Sequence, residues 1–286
     1  MNQLTGRTAI VTGGGSGIGA GIAESLAARG IAVMVADIDE TRAAEVARRI
    51  TAQGGTASFI GIDVSDAASV EKAGRDVERR FGRLHFAFNN AGVALHGTPL
   101  EQIPLEDWQW VIGVNIMGVV HGIRTFVPML REHGEPGRIV NTASIGGLQV
   151  NAGWMTAAYS MTKYAVVALS EGLRNELKGT AIGVSVLCPA AVRTQIAESA
   201  HQRPERFGGP YERPQQAFMA DAIAEGWPPR RVGERVIQGM LDDEFMIFTH
   251  SSPRPWIEAR HAMIQAAFEK AAEFEAADSV VASSRP

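Results

Sequence analysis

Short apolar runs alternate with amphipathic stretches over the first 190 residues of the chain. Thr8-Ala9-Ile10-Val11 is too short a run for a helix and breaks at Thr12-Gly13-Gly14-Gly15-Ser16-Gly17-Ile18-Gly19. A helical pattern with Ile22, Leu26 and Ala27 follows, then a second run from Ile31 to Ala36 that ends in Asp37. The spacing therefore predicts strand, glycine-rich turn, helix, strand. Glu40 to Ala52 reads as a helix with Val46 and Ile50 inward, stopped by Gly54-Gly55, and Thr56 to Ile62 as a third strand. Asp63-Val64 follows directly, and Asp66 caps a helix running to about Phe81. A fourth strand, Leu84 to Phe88, ends in Asn89-Asn90-Ala91-Gly92. Pro104 and the acidic pair Glu106-Asp107 announce a long helix through Trp108, Val111, Asn115, Val119 and Phe126. Arg138 to Asn141, Ala157 to about Leu177, and Ala181 to Leu187 read as strand, helix and strand.

The alternation loosens after Pro189. Residues 195 to 230 carry Pro204, Gly208-Gly209-Pro210, Pro214 and Pro228-Pro229, with helix-like stretches at Ala191 to Ala200 and Gln215 to Glu225. Such an excursion near the carboxyl ends of the strands reads as a substrate lid. Arg231 to Met240 predicts a helix, Phe245 to Thr249 a seventh strand, and Trp256 to about Phe274 a tail helix whose Ile257, Ile264, Ala267 and Phe268 need a surface to cover. Apolar strands separated by helices require a parallel sheet covered on both faces. The expected fold is thus an α/β, Rossmann-type doubly wound parallel sheet of seven strands. It forms a single domain over residues 1–286, with the lid at about 195–230 and the tail at about 254–278.

Glycines in the first turn let a diphosphate approach the backbone, where the N–H groups and positive end of the new helix hold negative charge. Gly13, Gly17 and Gly19 give G-x-x-x-G-x-G, not G-x-G-x-x-G. Asp37, 24 residues beyond Gly13, is placed to accept hydrogen bonds from the ribose of an adenosine. That carboxylate, with uncharged Gly15-Ser16 in the turn, favours NAD over NADP, although Arg42 lies close in sequence.

Composition adds exclusions. A net charge of -4 gives no support to nucleic-acid binding. The single cysteine, Cys188, rules out an intrachain disulfide. The first residues show no basic region followed by an apolar stretch, which makes the cytoplasm the expected location, and uninterrupted apolar runs stay below 18 residues, so no membrane span is expected. The seven histidines show no tight ligand spacing, and no metal is expected.

Tyr159 and Lys163, four residues apart, share one helical face, and Ser144 lies just past strand five. A tyrosine working near neutral pH needs a positive neighbour, which Lys163 supplies. With the dinucleotide turn and the Asn-Asn-Ala-Gly loop, this pair is the candidate acid/base for hydride transfer.

At these residues the chain resembles the short-chain dehydrogenase/reductase family over about residues 5 to 194 plus strand seven. The motifs are Thr12-Gly13-x-x-x-Gly17-x-Gly19, Asp63, Asn89-Asn90-Ala91-Gly92, Asn115, Ser144, Tyr159-x-x-x-Lys163 and Pro189-Ala190-Ala191-Val192-Arg193-Thr194. The resemblance implies that Asp63 touches the adenine with Val64 beside it, and that Asn89, Ala91 and Gly92 line the adenosine side. It also implies that Asn115 holds a water leading to Lys163, that Ser144 polarises the substrate oxygen, and that Tyr159 exchanges its proton. Lys163 and Thr194 would hold the nicotinamide end, with Pro189 and Val192 nearby. Ala190 departs from the family's Pro-Gly pair. Together with the turn residues Gly13, Gly15, Ser16, Gly17, Ile18 and Gly19, these complete the candidate cofactor site.

Candidate substrate-pocket residues are His96, Gly146, Val150, Trp154 and Met155, with Phe207, Tyr211, Phe218 and Trp227 from the lid; their character favours an apolar or aromatic secondary alcohol. Ile196-Ala197-Glu198-Ser199, Arg203-Pro204 and Phe207-Gly208 are also similar to the Cα-dehydrogenases that oxidise benzylic alcohols of lignin-derived aryl ethers. Arg203, Arg206 and Arg213 read as solvated surface charge before a carboxylate site. A 3-oxoacyl thioester reductase and a non-catalytic NAD-binding regulator are the competing functions. Family resemblance further implies a homodimer or homotetramer paired through the long helices Glu106 to Leu130 and Ala157 to Leu177.

Overall fold

The computed structural model describes residues 4–151, 153–211, 221 and 223–283. In chain order the regular elements are β1 (Thr8–Thr12), α1 (Gly17–Ala27), β2 (Ala32–Asp37), α2 (Glu40–Ala52), β3 (Ala57–Gly61), α3 (Ala67–Phe81) and β4 (Phe86–Asn89). They continue with α4 (Leu105–Ile112), α5 (Gly118–Glu132), β5 (Gly137–Thr142), α6 (Ala157–Glu176), β6 (Ile182–Cys188), α7 (Pro229–Leu241), β7 (Met246–Phe248) and α8 (Arg254–Ser283). Among the described residues, seven parallel strands form one sheet in the order β3-β2-β1-β4-β5-β6-β7. The reversal of direction between β1 and β4 opens a crevice at their carboxyl ends, where ligands bind in such sheets.

The continuous apolar character of the strands follows from burial on both faces. Ala9 and Val11 of β1 join α1, α2 and α7 in one core, while Ile10 faces the other, built with α3, α5 and α6. Asp39 caps α2 and Asp66 caps α3, each accepting a backbone N–H.

The long helix predicted from Glu106 is interrupted. Between α4 and α5, residues Gly113–Met117 form a π turn that carries Asn115, a widening that often marks a functional position. The stretch Leu105–Glu132 is long and apolar enough to cross a bilayer, with a mean hydropathy of 1.4, but half of that window is buried inside the protein, as a core helix requires.

The chain divides into two compact units, 1–249 and 250–286. In the first, the expected helix at Ala191 to Ala200 is replaced by an extended segment and two 3-10 turns, Ile196–Gln202 and Glu205–Phe207. Most of the expected helix from Gln215 to Glu225 lies outside the described residues. In the second, α8 extends well beyond the expected Phe274; its Ile257 and Ile264 are half-buried, while Phe268 is 73% exposed.

Candidate active site

Thr12 ties the first and fourth strands together at the crevice. Its hydroxyl donates to the Phe88 carbonyl (3.2 Å) and accepts from the N–H groups of Asn90 (2.9 Å) and Ala91 (3.1 Å). The turn that follows has no room for side chains. A Cβ on Gly13, whose φ is +63°, would lie 2.8 Å from Ala91 Cα, and one on Gly19 would lie 2.0 Å from the Gly13 carbonyl oxygen. Ser16 stands at the N-cap of α1 without a side-chain capping bond. The result is a backbone-walled cradle at a helix N-terminus, the form that accepts a diphosphate.

From this cradle a cleft runs in both directions. Toward β2 and β3 it is lined by Asp37, Ile38, Ile62, Asp63, Val64 and Val114; toward β5 and β6 by Asn90, Ala91, Gly92, Thr142, Tyr159, Lys163, Pro189 and Thr194. Asp37 is 6% exposed and accepts from Gly15 N (2.9 Å) through Oδ2 and from Asp39 N (3.0 Å) through Oδ1. Burial raises its pKa against those two bonds. Arg42 is held by Asp39 (3.1 Å) and donates to Gln195 (3.0 Å). For Asp63, burial works to raise the pKa, but hydrogen bonds from Ser65 and Arg206 outweigh it and hold the carboxyl below its ordinary value.

At the other end, the π turn aims Asn115 inward. Its Oδ1 accepts from Val93 N (2.8 Å), and its Nδ2 donates to Val93 O (3.0 Å) and Thr162 Oγ1 (3.0 Å). Lys163 Nζ donates to the Thr142 carbonyl (2.9 Å) and lies 5.6 Å from the centre of the Tyr159 ring. Ser144 Oγ accepts from Gly146 N (3.1 Å). Burial pushes the Tyr159 phenol up to about 12, with a hydrogen bond to Ser144 acting against it. Burial likewise pulls the Lys163 ammonium down to about 8, so desolvation dominates both groups.

Of the anticipated pocket residues, the described ones are absent from the lining of this cleft, although Gly146 stands beside Ser144 and Tyr159. His96 is buried, and the neighbouring Gly97 N–H closes a loop onto the Met155 carbonyl (3.2 Å). Gly146 packs against Ser160; Val150 and Met155 are exposed and Trp154 is half-buried. Phe207 packs over Gly113 and beside Arg206, and Tyr211 donates to Asp107 (3.3 Å) beneath the guanidinium of Arg203. Arg203, expected as surface charge, is buried in an ion pair with Asp107 (2.7 Å). Trp227 bridges to Val192 and carries the Arg231 guanidinium 3.6 Å above its ring. These rings anchor the lid to the body. Phe218 and Arg213 lie outside the described residues.

Three of the cofactor candidates also stand back from the cleft. Asn89 is buried between β4 and β5, donating to Asn141 (2.9 Å), and Asn90 takes the lining position. Gly15 contributes its N–H to Asp37, and Val192 pairs with Trp227. Sequence reasoning missed Ile38, Ile62, Asn90 and Val114, and also the lid face of Gln195, Ile196, Glu198, Ser199, His201 and Gln202. Ile38 carried a readable signal, an apolar residue directly after a strand-end carboxylate, and the structure leaves it 45% exposed.

His85, His133 and Glu135 cluster closely enough to hold a metal ion, away from this cleft. Their atoms are already engaged: His85 Nδ1 with Thr8 N, His133 Nε2 with the Leu84 carbonyl, and Glu135 with Arg7 and Arg83.

Comparison with known proteins agrees with this geometry. A family signature described as short chain dehydrogenase matches residues 7–205. A short chain dehydrogenase/reductase from Burkholderia phymatum, solved in complex with NAD, superposes with a TM-score of 0.89 at 34% identity, covering 93% of this chain and 97% of that one. A C alpha-dehydrogenase of Sphingobium sp. (strain NBRC 103272 / SYK-6) is 33% identical over 90% of this chain and 85% of its own length. A 1-deoxy-11-beta-hydroxypentalenate dehydrogenase of Streptomyces exfoliatus is 37% identical over 88% and 86%. The chain belongs to the short-chain dehydrogenase family.

Proposed function

We propose that this oxidoreductase uses NAD to interconvert an apolar or aromatic secondary alcohol and its ketone, with Tyr159 carrying the proton. The observation that carries the reading is one cleft with a glycine cradle at its centre, a buried carboxylate, Asp37, at one end, and Tyr159 and Lys163 at the other. The cradle fits a diphosphate because it is bare backbone at a helix N-terminus, packed so closely that a Cβ at Gly13 would strike Ala91 and one at Gly19 the Gly13 carbonyl. Asp37 and the engagement of Arg42 by Asp39 and Gln195 favour a ribose with a free 2′-hydroxyl over a 2′-phosphate. The NAD bound to the Burkholderia phymatum relative supports the same choice.

When bound, NAD supplies the hydride acceptor or donor. The chain's own contribution is positional and protonic. Ser144 donates to the alcohol oxygen, Tyr159 takes that oxygen's proton in oxidation and returns it in reduction, and Lys163 with Thr194 grips the nicotinamide ribose. With its pKa near 12 before cofactor binds, Tyr159 is a phenol ready to donate, so oxidation gains from rising pH whereas reduction does not.

The aryl preference rests on the likeness to the Sphingobium C alpha-dehydrogenase. A screen of aryl secondary alcohols with NAD and NADP tests both choices. Equal use of NADP defeats the cofactor assignment, and turnover confined to 3-oxoacyl thioesters defeats the aromatic one. We further propose a cytoplasmic homodimer or homotetramer paired through the long helical stretches Glu106 to Leu130 and Ala157 to Leu177, on which Met117 and Met161 are each 39% exposed. A concentration-independent monomer in sedimentation contradicts that pairing.

A further inference from the structure

The sheet order divides the cleft. Ser144, Tyr159 and Thr194 follow β5 and β6, so the reacting half of a dinucleotide lies over that side; Asp37 ends β2 and Asp63 follows β3, the second and third strands from the crevice in the opposite direction. The base of the other half must then enter the slot between Ile38, Ile62, Val64 and Val114, which is apolar on its walls and has the Asp63 carboxylate at its rim. That slot accepts a flat ring with an exocyclic amino donor.

The segment from Thr194 to Tyr211 crosses this whole cleft as a strap. Gln195 accepts from Arg42 (3.0 Å), Ser199 accepts from the Ala94 N–H (3.1 Å), and Arg203 is buried against Asp107 (2.7 Å). Beyond Pro204, which itself lines the cleft, Phe207 packs over Gly113 and holds the turn that presents Arg206. Arg206 Nη2 then donates to Asp63 Oδ2 (2.5 Å) and Ser65 Oγ (2.5 Å). Asp63 Oδ1 is already served by Ser65 N (3.0 Å) and Ser65 Oγ (2.6 Å), whereas Oδ2, with Arg206 on one lone pair, retains the other for an amino group.

We propose that Arg206 is a cofactor-binding residue, closing the strap over the adenine end by sharing Asp63 Oδ2 with the adenine amino group and laying its guanidinium plane along the base. A planar, weakly hydrated guanidinium both stacks on a π face and donates to a carboxylate, which a lysine cannot do together. The inference rests on the NAD reading above.

The test separates the two halves of the cofactor by calorimetry, with no turnover required. ADP-ribose and nicotinamide mononucleotide are titrated into the parent protein, Arg206→Ala and Arg206→Lys. Arg206→Ala is expected to weaken ADP-ribose about tenfold, the scale of one charge-assisted contact, while nicotinamide mononucleotide is unaffected and NADH dissociation in stopped flow accelerates by a similar factor. Arg206→Lys falls between parent and alanine. The Arg206 side chain is 49% exposed, so its variants keep the parent's melting temperature within a few degrees. Unchanged or tighter ADP-ribose binding by Arg206→Ala overturns the proposal, tighter binding marking the arginine as an obstacle. Failure of the parent itself to bind ADP-ribose removes the NAD reading instead.

Discussion

The floor of the cleft and the strap above it are built on opposite terms. The floor is backbone and short apolar side chains: the glycine cradle, Ile62, Val64 and Ala91, with Asp37 fixed by two N–H donors. The strap is almost all side chain, and its cleft-facing residues include Gln195, Glu198, Ser199, His201 and Gln202 while its rings turn away to grip the body. Binding that any dinucleotide needs is thus placed where sequence change is costly. The strap's contacts stand on a segment with no strand or α-helix of its own.

Breaking the strap's anchor should have the largest effect. Arg203→Ala removes the cation paired with the buried Asp107 carboxylate, expected to cost about 3–5 kcal/mol. Differential scanning calorimetry with limited proteolysis reads it, and an apolar replacement of both partners should recover most of the loss. Next comes chemistry on the floor side. Tyr159→Phe should lower turnover at least about a hundredfold with NADH affinity little changed, whereas Lys163→Ala should damage both and Ser144→Ala chiefly turnover. Steady-state oxidation beside NADH fluorescence distinguishes the three, and a Tyr159→Phe enzyme within severalfold of the parent would remove Tyr159 from its role. Asp37→Ser should narrow the NAD-to-NADP ratio of kcat/KM by about tenfold or more, the weight of lost bonds to a charged group.

A further effect is in pH. Lys163 is held at about 8 against an ordinary 10.5, so the folded protein binds fewer protons than the unfolded chain in that window, and its stability rises from pH 8 toward 10. Tyr159, raised from 10.0 to about 12, acts oppositely and removes stability as pH climbs through 10 to 12. Melting temperatures of the unliganded protein should therefore pass through a maximum near pH 10, and Lys163→Met should flatten the rise.

The floor was legible in the sequence because its constraints are local. A glycine cradle, a strand-end aspartate and a Tyr-x-x-x-Lys spacing each declare themselves within a few residues. The lid was not, since Phe207, Tyr211 and Trp227 have the same composition whether they line a pocket or hold a loop. What decides between these is Asp107, Gly113 and Arg231, met only once the chain has folded. Asn89 failed for a related reason: adjacent residues of a strand point to opposite faces, so a one-residue error exchanges a buried Asn141 partner for a cleft-lining position.

The π turn at Gly113–Met117 bears on how the chain tolerates changes of length. Trp110 and Phe126 are both buried in one core, yet at 16 residues apart on an uninterrupted helix they would point about 160° from one another. Absorbing one residue in the wide turn brings them within about 60°. Deleting Ile116 would therefore leave both helix faces in phase and the core intact while converting the turn to ordinary helix. The bonds from Asn115 to Val93 and Thr162 would be lost with it, so a shortened protein would keep its fold, melt below its parent by the cost of those buried bonds, and lack the geometry beside Lys163. The site is written in this helix as one surplus residue, a frame shift that folding absorbs and the placement of Asn115 uses.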